Sequence, residues 1–218
     1  MAVYTKISKK DISYINRKFD IEKILEFKGI KQGIENTNYL LKSKNKKFIL
    51  TIFEKRVSKK ELPFFMNLMD KLNKSKINCP KPQTKKGGGY LINLKNKAAC
   101  IVSFLNGKDK KSLNFKNCYD IGKMIAEMHQ STKKINLTRK NSMGVRNLNP
   151  LLKSIRFKSK KFTNIEKFLK NNFKDIKTKW PKNLPNGVIH GDLFIDNIFF
   201  ENNRLSGVID FYFAANDY

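Results

Sequence analysis

Long apolar runs are missing from these 218 residues, and none approaches the roughly 20 residues that a membrane-spanning helix requires. The first eleven residues carry charges but no apolar segment of the kind that opens a secretory signal. Cysteine is scarce. Cys79, Cys100 and Cys118 are odd in number, sit among apolar neighbours and lack metal-ligand spacing, which excludes a disulfide scaffold and suits a reducing cytoplasm. Acidic residues number 18 against 46 basic ones, for a net charge of +28. Arginine is rarer than that charge suggests: Arg17, Arg56, Arg139, Arg146, Arg156 and Arg204 are the only six, and every other cation is a lysine. Nucleic-acid interfaces lean on arginine for bidentate phosphate and base contacts. Lysines spread along the whole chain, beside abundant asparagine and isoleucine, describe instead a solvated coat and a compositional bias. The expectation is no specific nucleic-acid partner, no membrane, and a cytoplasmic location.

The composition is otherwise globular, with 40% apolar residues to supply a core. Ser8, with Asp11 three residues on, marks a helix start, and Ile12, Ile15 and Phe19 share one face of that helix. After Phe27 the periodicity turns to strands: residues 38–41 and 48–53 are rich in β-formers and joined by a polar turn. The loop before them, Gly29-Ile-Lys-Gln-Gly33-Ile-Glu-Asn36-Thr-Asn38, holds two glycines. Ser58-Lys-Lys-Glu61 has capping-box spacing and predicts a helix with Leu62, Phe65, Leu68, Met69 and Leu72 inward. Strands are predicted at 90–94 and 98–104 around a Lys95-Asn96 turn. A long helix then places Cys118, Ile121, Ile125 and Met128 on its apolar face and His129 in the core. Residues 131–162 show few apolar anchors, and Thr163-Asn-Ile-Glu166 opens a further capped helix that Pro181 and Pro185 end. Strands early and helices late predict an α+β chain of two lobes: a β-rich nucleotide lobe over 1–105 and a mainly helical catalytic lobe over 106–218.

Chemistry concentrates in Val188-Ile-His190-Gly-Asp192-Leu-Phe-Ile-Asp-Asn197 and the later Gly207-Val-Ile-Asp210-Phe211. A strand delivers His190, a loop presents Asp192 and Asn197, and Asp210 emerges at the end of the next hairpin. Phosphoryl transfer asks the protein mainly for positioning and charge neutralisation. A carboxylate beside the acceptor hydroxyl orients it and takes its proton, which suits Asp192 as the base. Mg²⁺ prefers hard oxygen ligands, which suits Asn197 and Asp210 as metal ligands. The spacing H-x-D-x-x-x-x-N is that of the kinase catalytic loop, with Asp210-Phe211 where D-F-G would stand. The competing reading is a plain hairpin in which Asp192 and Asp196 cap turns and His190 is a buried structural residue. Within the kinase reading too, His190 serves as a brace for the loop. On the nucleotide side, Gly29 and Gly33 let backbone approach phosphates. Asn36 and Asn38 either contact nucleotide or order the turn, and Asn106 with Gly107 falls at the hinge where backbone groups receive adenine. The expected cofactors are ATP and Mg²⁺.

His190-Gly-Asp192-Leu-Phe-Ile-Asp-Asn197 and Leu205-Ser-Gly-Val-Ile-Asp210-Phe211 resemble the motifs of the aminoglycoside phosphotransferase and choline kinase superfamily. Gly33-Ile-Glu-Asn-Thr-Asn-Tyr39, Phe48-Ile-Leu-Thr-Ile-Phe-Glu54 and Asp210-Phe-Tyr-Phe-Ala-Ala-Asn-Asp217 narrow the resemblance to the homoserine kinases of that superfamily. The resemblance runs from Met1 to Tyr218. It implies a protein-kinase-like fold and transfer of the ATP γ-phosphate to the hydroxyl of L-homoserine, a step toward threonine. Choline, an aminoglycoside, methylthioribose and hydroxylysine are the other acceptors to weigh, and an inactive fragment is a further alternative. A basic chain suits the carboxylate of homoserine better than a cationic acceptor. Three departures stand out. Thr51 occupies the place where protein kinases carry a phosphate-binding lysine, leaving Lys55 or Arg56 as substitutes. Glu61, placed like that lysine's ion-pair partner, is read instead as part of the capping box. The chain ends eight residues past Asp210, where the family continues, so an incomplete second lobe is expected. Asn141-Ser-Met-Gly144 also resembles a family segment but acquires no role from it. Nothing in the sequence specifies an oligomeric state.

Overall fold

Helix α1 (Lys9–Lys18) begins where the sequence places it. Ser8 accepts from the Asp11 amide while its own N–H donates to the Asp11 carboxylate at 2.8 Å, a complete capping box. This computed structural model describes residues 3–33, 35–54, 57–133, 135–154, 163–181 and 183–218. A five-stranded antiparallel sheet is formed by β1 (Glu26–Gly29), β2 (Thr37–Lys42), β3 (Lys47–Ile52), β4 (Leu91–Leu94) and β5 (Lys97–Ser103). Its strand order is β1-β2-β3-β5-β4, with Thr37 opposite Ile52 and Thr51 opposite Cys100. Lys95 and Asn96 both take positive φ, 53° and 62°, the conformation that matches a two-residue turn to the twist of its strands.

Strand alternation sorts the core into two clusters. Phe48, Leu50 and Ile52 of β3 join Leu41, Ala99 and Ile101 beneath Ile12, Ile15 and Phe19. The opposite face, with Phe53, Cys100 and Val102, packs against helix α2 (Leu62–Lys74), helix α3 (Phe115–Thr132) and the later hairpin. Burial pushes the thiols of Cys79 and Cys100 up to about 12, so both serve as packing groups.

Two expectations are corrected here. The Ser58–Glu61 capping box does not form: α2 starts at Leu62, Glu61 is its N-cap residue, and no side chain caps it. Pro63 explains the shift, because a ring that fixes φ and lacks an N–H favours the first turn of a helix. In α3 the buried stripe runs through Asn117, Ile121, Met124 and Met128, which leaves Cys118 and His129 exposed on its flanks. Lys55 and Arg56, the proposed lysine substitutes, lie outside the described residues.

Helix α4 (Val145–Ser154) falls in the stretch where no element was expected, and none of its residues is buried; helix α5 (Thr163–Lys179) packs against it. Strand β6 (Gly187–Ile189) then leads into the loop bearing His190. Strands β7 (Ile198–Glu201) and β8 (Arg204–Val208) form a hairpin around Asn202-Asn203, and β9 (Ala215–Asp217) returns to pair with β6. Among the described residues no helix is long and apolar enough to cross a membrane.

Candidate active site

The chemistry-bearing loop is built around His190, which is 3% exposed. Its Nδ1 accepts from the Asp192 amide at 3.3 Å, so Nε2 carries the proton and donates to the Ile209 carbonyl at 2.9 Å. Burial holds its pKa below the ordinary histidine value, against the opposing pull of that carbonyl and of Asp192. His190 is thus a neutral brace tying the loop to the strand that ends beside Asp210.

The other two groups hang from the same frame. The Asn197 amide nitrogen donates to the Asp192 carbonyl at 2.8 Å and to its carboxylate at 3.3 Å. With the amide nitrogen so committed, the Asn197 oxygen is the atom left for ligation. The Ile209 amide donates to the Asn197 carbonyl at 3.0 Å, so Ile209 is bonded to both His190 and Asn197. Asp210 comes next, in the left-handed region at φ 64° and ψ 60°, a costly conformation that aspartate tolerates better than most residues. Asp192 and Asn197 are therefore bonded directly, and the residue before Asp210 is tied to Asn197 and His190. Gly191 shows how closely the pieces approach: at φ +81°, an added Cβ would stand 2.7 Å from the Phe213 carbonyl oxygen.

On the sheet side, Gly33 has φ +93°. Asn36 is buried, and its oxygen accepts from the Glu54 amide at 3.4 Å, while the Asn38 oxygen accepts from the Thr51 hydroxyl at 2.8 Å. Both side-chain oxygens thus tie the end of the glycine loop to β3 and to Glu54 just past it. Glu54 itself is held by Thr5, Thr37 and Lys97; burial disfavours its charge, but these hydrogen bonds prevail and keep its pKa low. Asn106 is exposed, and its carbonyl accepts the Ser206 hydroxyl. The adjoining Lys108 exchanges two backbone hydrogen bonds with Phe200, at 3.0 and 2.8 Å, which joins this segment to the β7–β8 hairpin.

Two participants escaped the sequence. Tyr212 brings its hydroxyl to Thr51 and to Cys100, 4.0 Å from the sulfur, and its ring meets Phe53 and Phe65 edge to face. Arg139 reaches Glu61 and the Ala214 carbonyl. The scarcity of arginine was an available signal for the second, since one of only six falls in an otherwise unpatterned stretch.

A small antiparallel sheet over a loop and hairpin bearing aspartate, asparagine and aspartate is the two-lobed protein-kinase-like fold. Spectinomycin phosphotransferase in complex with ADP and spectinomycin shares it at a TM-score of 0.68 and 15% identity, over 97% of this chain and 71% of that one. Amicoumacin kinase in complex with AMP-PNP, Ca²⁺ and its antibiotic shares it at a TM-score of 0.77 and 14% identity, over 98% and 66%. Identities this low speak for the fold alone. The chain belongs to the phosphotransferase enzyme family, whose profile matches residues 26–218. It is similar to the homoserine kinase of Rhizobium etli, at 38% identity over all 218 residues and 68% of that protein's length. The homoserine kinase of Bartonella henselae is 37% identical over the whole chain and 69% of its own length.

Proposed function

We propose that this protein is a homoserine kinase, transferring the γ-phosphoryl group of ATP to the side-chain hydroxyl of L-homoserine in the cytoplasm. The observation that carries the reading is the bonded frame of Asp192, Asn197 and Asp210, in a chain similar along its whole length to homoserine kinases. Asp192 is the base: its carboxylate orients the acceptor hydroxyl and takes its proton as the phosphoryl group arrives. Asn197 and Asp210 fit Mg²⁺, since both offer hard oxygens and this ion commonly takes only one or two protein ligands beside phosphates and water. Bound there, the ion would neutralise phosphate charge. Gly33, Asn36, Asn38 and the backbone at Asn106 would hold the nucleotide. The division into lobes falls between residues 105 and 106, at the segment stitched to the β7–β8 hairpin.

The test is ADP release coupled to an optical readout, with Mg-ATP and a panel of L-homoserine, choline, kanamycin and hydroxylysine. Selective turnover of homoserine supports the assignment. Selective turnover of another acceptor, or silence on all four by a folded chain that binds ATP, overturns it.

A further inference from the structure

The Glu61 side chain does not cap α2, and Thr51 stands on β3 where protein kinases carry the lysine such a glutamate would meet. The Glu61 carboxylate instead accepts from Nε of Arg139 at 2.8 Å. The Arg139 side chain is only 8% exposed, its Nη1 donates to the Ala214 carbonyl at 3.0 Å, and its guanidinium lies 5.0 Å from the centre of the Phe65 ring. The Arg139 backbone is fastened to the same segment. Its amide donates to the Asn216 side chain at 2.7 Å, and the Asn216 amide donates back to its carbonyl at 2.8 Å. Two residues on, the Asn141 side-chain Nδ2 donates to the Asp217 carboxylate at 2.6 Å, and Gly144 lies so near that carboxylate that a Cβ there would stand 3.1 Å from it. The segment from Asn141 to Gly144 thereby anchors β9.

One side chain therefore bonds a helix packed on the sheet and the stretch just after Asp210. A second route runs in parallel, because Phe65 of α2 has Arg139 over its face and Tyr212 at its edge, the rings of Phe65 and Tyr212 being 5.7 Å apart. In protein kinases an ion pair between the β3 lysine and a helix glutamate must be in place together with the metal-binding aspartate. Here the carboxylate at the start of α2 is Glu61, and its partner is Arg139.

We propose that Arg139 is a positioning residue for the transfer described above. Its guanidinium, seated between Glu61 and the Ala214 carbonyl, sets the placement of Asp210 relative to the sheet side of the cleft. The proposal rests on the kinase reading for its catalytic consequence and on the geometry alone for its structural one. Misplacement of reacting groups by about 1 Å costs up to roughly a hundredfold in rate, so a loosened Asp210 lowers kcat.

The test compares the full chain with its Glu61→Gln, Arg139→Lys and doubly substituted variants by hydrogen exchange and by the coupled assay. Glu61→Gln removes one charge at a partly exposed site and leaves Pro63 to start the helix. It is expected to speed exchange at the Ala214 and Asn216 amides about tenfold, with the melting temperature little changed. In turnover, kcat falls while KM for ATP holds, and the double variant is no worse than Arg139→Lys. Lysine does not rescue, because one ammonium cannot reproduce the fork that serves both partners. Unaltered exchange in Glu61→Gln, or additive losses in the double variant, overturns the proposal. A parent that phosphorylates no acceptor sinks the kinase reading, and the exchange measurement then decides the role of Arg139 by itself.

Discussion

At the scale of single residues, His190 and Asp192 divide the labour that adjacency suggests they share. His190 is buried and committed at both nitrogens, which removes it from proton transfer, while Asp192 holds Asn197 and keeps its carboxylate at the loop surface. Asp192→Asn should lower kcat by about a hundredfold or more, the usual worth of a positioned base, with ATP binding retained; full turnover in that variant removes the assignment. His190 makes a separate prediction about stability. Burial depresses its folded-state pKa below the ordinary 6.5, so on acidification the unfolded chain takes the proton first. The neutral ring's contribution is complete above that value and is lost as pH falls from it toward the folded-state pKa. Urea midpoints measured from pH 7.5 to 5 should therefore drop more steeply for the parent than for His190→Gln. Parallel curves would exclude His190 as the titrating group. The roles of Asp192, Asn197 and Asp210 were legible because chemistry imposes their spacing. Arg139 and Tyr212 were not, because their partners stand 78 residues away at Glu61 and 112 away at Cys100.

Among the elements, those with local chemistry were legible and those made by tertiary pairing were not. The helix start at Ser8, the Lys95-Asn96 turn and the β2–β3 hairpin form as read, whereas the Ser58–Glu61 capping box does not. Strand β9 is Ala-Asn-Asp, a composition with little β tendency, and it exists because β6 lies on one side and Arg139 on the other. Helix α4 escaped notice because Pro150 stands inside it, a residue that argues against a helix interior, although Val145, Leu148, Leu151 and Leu152 recur at helical spacing. The approach of the Phe211–Phe213 turn to the loop of His190 belongs to this scale as well. Gly191→Ala combines a positive φ with a carbonyl oxygen 2.7 Å from the new Cβ. It is expected to cost about 2–3 kcal/mol in a denaturation curve. A loss under about 0.5 kcal/mol, the range of ordinary surface changes, would show that the turn yields easily.

Over the whole molecule the dominant quantity is charge, +28 and nearly all of it lysine. Attraction to polyanions is expected of such a surface, and so is its disappearance in salt, since the affinity comes from released counterions. A short DNA duplex should bind more weakly than about 1 µM near physiological salt, with further loss at about 200 mM as anisotropy would record. Tight binding that survives that salt would identify a dedicated nucleic-acid face and overturn the reading of the lysines as a coat.

The core cluster beneath α1 has a consequence in time. Every buried member of it, from Ile12 to Ile101, belongs to the first half of the chain. Synthesis at about 5–20 residues per second delivers His190 roughly 4–18 s after Ile101. The sheet that would receive a nucleotide can thus close over its own core while the loop that would use that nucleotide is still unmade. A substitution at Leu50 or Ile101 meets the nascent chain, whereas one at Phe211 is felt only when the later residues arrive to pack against a finished surface.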